Sequence, residues 1–135
     1  MKKFIPVYKP YLNGNERKYL NECLDSTWIS SKGEYIQAFE KNFCCFVDAP
    51  FAISVCNGTV ALHLALLGLE IKPHDEIIVP ALTYVATVNA IKYMGAVPVF
   101  ADSLPSHWQI DPHDVRRKIS RKTKAILAVH LYGHP

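Results

Sequence analysis

Residues Phe51 to Leu69 constrain this chain more than any other stretch. Phe51-Ala52-Ile53-Ser54-Val55 is an apolar run, Asn57-Gly58-Thr59 is a tight polar turn, and Val60 to Leu69 is a second run that is nearly all apolar. Such a passage predicts a strand, Phe51–Cys56, turning through glycine into a helix, Thr59–Leu69. A helix that starts on so short a turn leaves its first backbone N–H groups without intrahelical acceptors, at the positive end of the helix dipole. A phosphate group fits there, and the Thr59 hydroxyl would add a donor. The same pattern also serves as a plain structural turn, so the motif alone leaves both readings open.

The rhythm that follows sets the fold class. Glu76-Ile77-Ile78-Val79 reads as a strand closed by Pro80, Tyr84–Met94 as a helix ending at Gly95, and Val97–Ala101 as a strand. Asp111–Ile119 reads as a helix with Asp111 as N-cap and Pro112 at its first position, and Ala125–His130 as a strand. Short apolar strands alternating with helices predict an α/β chain with a mostly parallel sheet, its strands buried on both faces and flanked by helices. Before it, Glu16–Leu24 and Glu34–Phe46 have helical spacing, the second with Ile36, Phe39, Phe43 and Phe46 on its buried stripe. The expected division is a helical segment over 1–50 and an α/β portion over 51–135.

Composition narrows the function classes. The 135 residues suit one domain, half of them are apolar, and the net charge is only +3. The densest basic stretch, Arg116, Arg117, Lys118, Arg121, Lys122 and Lys124, has no interleaved aromatic residue and reads as a solvated helix face, not a nucleic-acid surface. Cys23, Cys44, Cys45 and Cys56 lack C-x-x-C spacing, so reduced thiols in a cytoplasmic protein are expected, with no metal site. The N-terminus has no apolar run behind its lysines, and no segment has the length and apolarity of a membrane span.

Ligands of open α/β sheets bind beyond the carboxyl ends of the strands. Four loops qualify: Asn57-Gly58-Thr59, Pro80 to Tyr84, Asp102-Ser103, and Leu131 to His134. Tyr84 either stacks on a planar ligand or staples the start of its helix. His63 reads as a packed residue, and His130 and His134 as the best-placed histidine pair. No G-x-G-x-x-G follows a strand, and there is no serine nucleophile elbow.

Ordered motifs then carry a resemblance. Trp28-Ile29-Ser30, Gly33 and Phe39-Glu40 precede Asn57-Gly58-Thr59-Val60-Ala61-Leu62-His63 and Asp75-Glu76-Ile77-Ile78-Val79-Pro80. Thr83-Tyr84-Val85-Ala86-Thr87-Val88-Asn89-Ala90, Gly95 to Asp102, Ile110-Asp111-Pro112 and Val129-His130-Leu131-Tyr132-Gly133 follow. The chain resembles the DegT/DnrJ/EryC1/StrS family of nucleotide-sugar aminotransferases, most of all its GDP-perosamine synthase branch. The resemblance implies the first part of the large domain of a fold type I enzyme dependent on pyridoxal 5′-phosphate, and a homodimer. Gly58 and Thr59 would hold the cofactor phosphate, Tyr84 would stack on its ring, and Asn57 lies beside the phosphate loop. Trp28 and Ser30 match a segment near the mouth of the substrate site. The implied reaction moves an amino group from glutamate to a nucleotide-linked keto-deoxy sugar.

The resemblance also implies what to expect beyond these residues. The family's lysine that holds the cofactor, and the aspartate that pairs with its pyridine nitrogen, match positions past Pro135. None of the eleven lysines here sits in a matching motif. The alternatives are a sugar dehydratase of the same family, with histidine in place of that lysine, and a remnant or docking partner without activity.

Overall fold

The computed structural model describes residues 4–135. They form two compact units, one ending at Ser54 and the other spanning Val55–Pro135.

The first unit is a helix pair behind an extended segment. Helix α1 spans Glu16–Asp25 and α2 spans Glu34–Val47. Tyr19 of α1 and Tyr35 of α2 lie with ring centroids 4.9 Å apart, and the Tyr35 hydroxyl donates to the Glu22 carboxylate. That carboxylate pushes the phenol up to about 12. The expected apolar stripe of α2 is present, but it is not buried. Ile36 is half-buried, whereas Phe39, Phe43 and Phe46 are exposed, Phe46 at 86%. A single neighbouring helix covers only a narrow seam, and Phe39 and Phe43 pack on one another at 5.8 Å.

The expected strand Phe51–Cys56 is not a strand. The run carries no ladder, and Phe51 and Ile53 are 86% and 73% exposed. Strand identity is a property of a pair, and no described strand pairs with this run. The backbone N–H of Ser54 and its hydroxyl instead both donate to the Glu40 carboxylate at 2.8 Å, which holds that carboxyl below its usual pKa.

The second unit is α/β. Helix α3 (Gly58–Gly68) leads to strand β1 (Glu76–Pro80), helix α4 (Val85–Tyr93), strand β2 (Val97–Ala101), helix α5 (Pro112–Lys118), strand β3 (Thr123–Ile126) and a 3-10 turn, Leu131–Gly133. The sheet is parallel, in the order β2-β1-β3. The chain therefore crosses from β1 to β2 on one side and returns past β1 to β3. Right-handed crossovers in opposite directions put their helices on opposite faces. The two cores agree. Ile77 and Val79 pack with Leu66, Ala90 and Ile91 on the α3–α4 face, and Ile78 packs with Ala101 and Val115 on the α5 face. Burial on both faces holds for β1 alone, whose Ile77, Ile78 and Val79 are fully enclosed, while β2 and β3 are partly exposed edges. Each such enclosure is worth about 1.5–3 kcal/mol.

Helix ends follow local chemistry. Gly95, at φ +68°, terminates α4 with the Gly95 N–H on Lys92 and the Ala96 N–H on Ile91, a Schellman motif. Asp111 caps α5 by accepting the His113 N–H at 2.8 Å, with Pro112 at the first helical position. Strand β3 stops four residues short of His130. On β1 the even-numbered residues face β3, since Ile78 O accepts the Leu127 N–H, and the next of these is Pro80, which has no N–H to extend the ladder.

The outer edge of β2 is closed by α5. Even-numbered residues of β2 point outward there. Pro98 lacks a donor, Phe100 O accepts the Lys118 ammonium at 2.6 Å, and the Asp102 N–H donates to Asp114 at 2.7 Å. Asp114 is buried and also pairs with Lys118 at 2.8 Å and Arg117 at 2.9 Å. The Lys118 ammonium first, then the Asp102 N–H and Arg117, hold its carboxyl well below the usual carboxylate range. A depressed folded-state pKa contributes stability that is present above the ordinary aspartate value of about 4 and is lost as pH falls toward the folded value. Asp114→Asn should unfold at lower urea than the natural chain at neutral pH, with the gap narrowing progressively below about pH 4. Urea titrations from pH 7 down to pH 3 check this, and a gap constant across that range would refute it.

Candidate functional site

Four of the residues singled out in the sequence meet in the second unit. Asn57, Gly58, Thr59 and Tyr84 line one open recess of about 700 Å3, together with Ala86 and Thr87 of α4. Two helix N-termini, those of α3 and α4, therefore border the same space. None of the lining side chains is an acid or a base of the carboxylate, ammonium or guanidinium kind, and neither helix has an acidic residue in its first turn.

Asn57 builds the first of these ends. Its backbone is extended (φ −167°), its Oδ1 accepts the Val60 N–H at 3.0 Å, and its carbonyl accepts the Ala61 N–H at 3.1 Å. Those bonds consume the third and fourth donors of α3. The N–H groups of Gly58 and Thr59 have no acceptor among the described residues, nor has the Thr59 hydroxyl a partner. Gly58 is not in the left-handed region, so its backbone does not require glycine, and a Cβ built on it meets nothing within 4 Å. The missing side chain leaves the mouth of the cradle open.

Tyr84 is the N-cap of α4 and is 75% exposed, with no capping bond from its side chain. The helix start is held instead by the Thr87 N–H on Tyr84 O at 3.1 Å and by the Thr83–Thr87 hydroxyl pair at 3.1 Å. The ring is thus spare, and the stapling alternative has no contact to support it. A phosphate or carboxylate fits the donor pair of α3, and a flat ring fits against Tyr84.

The remaining candidates lie elsewhere. Trp28 and Ser30 belong to the first unit, in the loop between α1 and α2, where Ser30 accepts the Lys32 N–H. His63 is half-buried, edge-on to Tyr93 at 5.7 Å, as a packed residue should be. His134 stacks on His107 at 5.6 Å, and His130 precedes the 3-10 turn without joining them. The basic residues at the end of α5 pair with Asp114 or face solvent. Among the described residues no group of three His, Cys, Asp or Glu side chains gathers as a metal site, and no helix is long and apolar enough to cross a membrane.

One buried polar residue was not legible in the sequence. Gln109 is 8% exposed, and its side-chain amide bonds to both backbone groups of Leu131, with Oε1 accepting the Leu131 N–H at 3.1 Å and Nε2 donating to Leu131 O at 3.3 Å. A lone polar residue between Trp108 and Ile110 was the only hint available.

Comparison with known proteins places the chain in a family. Residues 10–135 match the DegT/DnrJ/EryC1/StrS aminotransferase family. The chain is 62% identical to the GDP-perosamine synthase of Escherichia coli O157:H7 over 98% of its own length and 36% of that protein. It superposes on a Streptococcus pneumoniae sugar aminotransferase solved in its PMP form with a TM-score of 0.88 at 33% identity, covering 97% of this chain and 33% of that one. It also superposes on the E. coli GDP-4-keto-6-deoxy-D-mannose-3-dehydratase with bound hydrated PLP, at a TM-score of 0.80 and 28% identity, covering 93% and 33%. The chain thus spans about a third of the length of the relatives it matches. With the fold type I α/β arrangement shared at this level, the chain belongs to the DegT/DnrJ/EryC1/StrS aminotransferase family.

Proposed function

We propose that this chain is the first part of the cofactor-binding domain of a pyridoxal 5′-phosphate-dependent sugar aminotransferase of the perosamine synthase kind. The whole enzyme would take an amino group from glutamate and place it on a GDP-linked 4-keto-6-deoxy sugar, in the cytoplasm, as a homodimer, for a surface polysaccharide such as the O-antigen. The observation that carries this reading is the recess lined both by Gly58 and Thr59, whose N–H groups have no acceptor among the described residues, and by the exposed Tyr84. Identity favours the aminotransferase over the dehydratase, since 62% to a GDP-perosamine synthase stands against 28% to the dehydratase.

The residues fit the cofactor. Gly58 and Thr59 would donate their backbone N–H groups, and Thr59 its hydroxyl, to the phosphate, at the positive end of α3. Asn57 holds those donors in place through its cap and would lie beside the phosphate, with its side-chain NH2 still able to donate. Tyr84 would lie against the ring and fix its tilt. Trp28 and Ser30, in the first unit, are assigned to the sugar side. The cofactor, when bound, supplies the electron sink for moving the amino group, and the protein supplies position and proton traffic.

Pyridoxamine 5′-phosphate tests the grip, because it needs no covalent anchor. Calorimetric titration of the chain should show it binding at least about tenfold more tightly than pyridoxamine, the value expected for charge-assisted hydrogen bonds to phosphate. Equal affinities for the two would sink the assignment.

Gly58→Ala separates the cradle from the fold. Helix propensity predicts unchanged or slightly raised stability, by up to about 1 kcal/mol, since the backbone there needs no glycine. Affinity for pyridoxamine 5′-phosphate should fall by about tenfold, because a methyl group would enter the open space that the phosphate would occupy. Thermal unfolding and the same titration read the two effects, and undiminished affinity would contradict the placement.

A further inference from the structure

We propose that Gln109 is a positioning residue that joins the loops leaving β2 and β3 into one wall of the ligand site. The strand order supplies the first part of the argument. The chain leaves β1 toward β2 and leaves β2 back past β1 to β3, so its direction switches at β1 and β3. Ligands of open α/β sheets bind in the crevice outside the carboxyl ends at such a switch point. One lip of that crevice is the exit of β1, which carries Tyr84 to the recess. The other lip is the exit of β3, which runs through Leu131.

Gln109 fixes that second lip from a distance of 22 residues in sequence. Its amide reads Leu131 as a neighbouring strand would, taking the N–H and giving to the C=O, and its Nε2 also donates to His107 O at 3.3 Å. Burial makes these bonds matter, because an amide shut away from water must find its partners in the protein. The residue after Leu131 is Tyr132, at φ +55°, a left-handed conformation that a tyrosine does not adopt freely. The next, Gly133, is also left-handed, at φ +81°. A turn of this shape needs an outside hold, and the Gln109 clamp together with the parallel stacking of His107 on His134 provides it. The loop that carries Gln109 is itself fixed, with Leu104 and Gln109 bonded through their backbones at 2.9 Å and the Trp108 N–H on Leu104 O at 2.7 Å. The wall is therefore ready before any ligand arrives. With the phosphate at α3 and the ring at Tyr84, the part of the ligand facing this wall is the sugar substrate, and this assignment alone rests on the function proposed above.

The test uses Gln109→Met, which keeps the shape and removes every polar atom, and Gln109→Glu, which keeps an acceptor for the Leu131 N–H. Hydrogen exchange in the intact protein should show the Leu131 amide opening about tenfold faster in Gln109→Met and also faster in Gln109→Glu, whose carboxylate would face the Leu131 and His107 carbonyls, while the amides of β1 should not change. In transamination by the whole enzyme, Gln109→Met should raise the KM for the sugar about tenfold with kcat and pyridoxamine 5′-phosphate affinity held within about twofold. Equal Leu131 exchange in the natural protein and Gln109→Met would overturn the clamp. Faster exchange with an unmoved sugar KM would overturn the wall. Absence of transamination in the whole enzyme would count against the proposed function and not against the clamp, which the exchange result decides.

Discussion

A parallel strand enclosed on both faces must give both of its backbone ladders to neighbours, and the second unit is arranged around that requirement at β1. Its odd-numbered residues bond to β2 and its even-numbered residues to β3. Its side chains alternate between the α3–α4 core and the α5 core. Pro80 then ends the second ladder by lacking a donor, which frees the chain after Leu127 to turn away from the sheet. The same residue delivers the main chain to Ala81, whose N–H closes the β2 ladder on Ala101 at 2.8 Å, and so to Tyr84. A single proline thus sets both the length of β3 and the place where the site begins.

The two edges of the sheet are treated differently. On β2, the outward groups meet Pro98, the Lys118 ammonium and the Asp114 carboxylate, so side chains of α5 stand in for a fourth strand. On β3, the outward groups of Lys124 and Ile126 have no such cover among the described residues, and Ile126 is 51% exposed. The charged knot at β2 also fixes the direction in which the chain leaves that strand. The Asp102 N–H is held by Asp114, Asp102 O accepts the Asp111 N–H, and Ser103 bridges to Ile110. An edge device and a loop-positioning device are here the same set of atoms.

What the sequence revealed follows from how local each feature is. The ends of α4 and α5 were legible because Gly95 and the Asp111-Pro112 pair act on their own neighbours in the chain. That Gly58, Thr59 and Tyr84 stand at helix starts was legible because each lies at the junction between an apolar run and a helix, and the fold brings those starts to one recess. The run Phe51–Cys56 was misread because its composition suits a strand while its ladder partner is a matter of the rest of the fold. The buried stripe of α2 was misread for a related reason, since periodicity says which residues share a face and not what covers it. Gln109 carried almost no signal, because a glutamine in a loop acquires meaning only from the residue it meets.

The division between near and far extends to chemistry. A phosphate grip needs donors that point the same way, and one turn of helix provides them from adjacent residues, with Asn57 taking the Val60 donor and leaving Gly58 and Thr59 free. Such a grip survives in sequence as a short motif because its parts cannot be separated. A wall that recognises the rest of a ligand has no such restriction. It can be assembled from loops that leave different strands, provided something buried ties them together, and a side-chain amide suits that task because it matches both backbone groups of one residue at once. The proposed grip would fix where the cofactor sits, and the proposed wall how much room is left beside it. Substrate choice among members of one fold is therefore expected to reside in the long-range contacts around the Gln109 and Leu131 loops more than in the Asn57-Gly58-Thr59 turn.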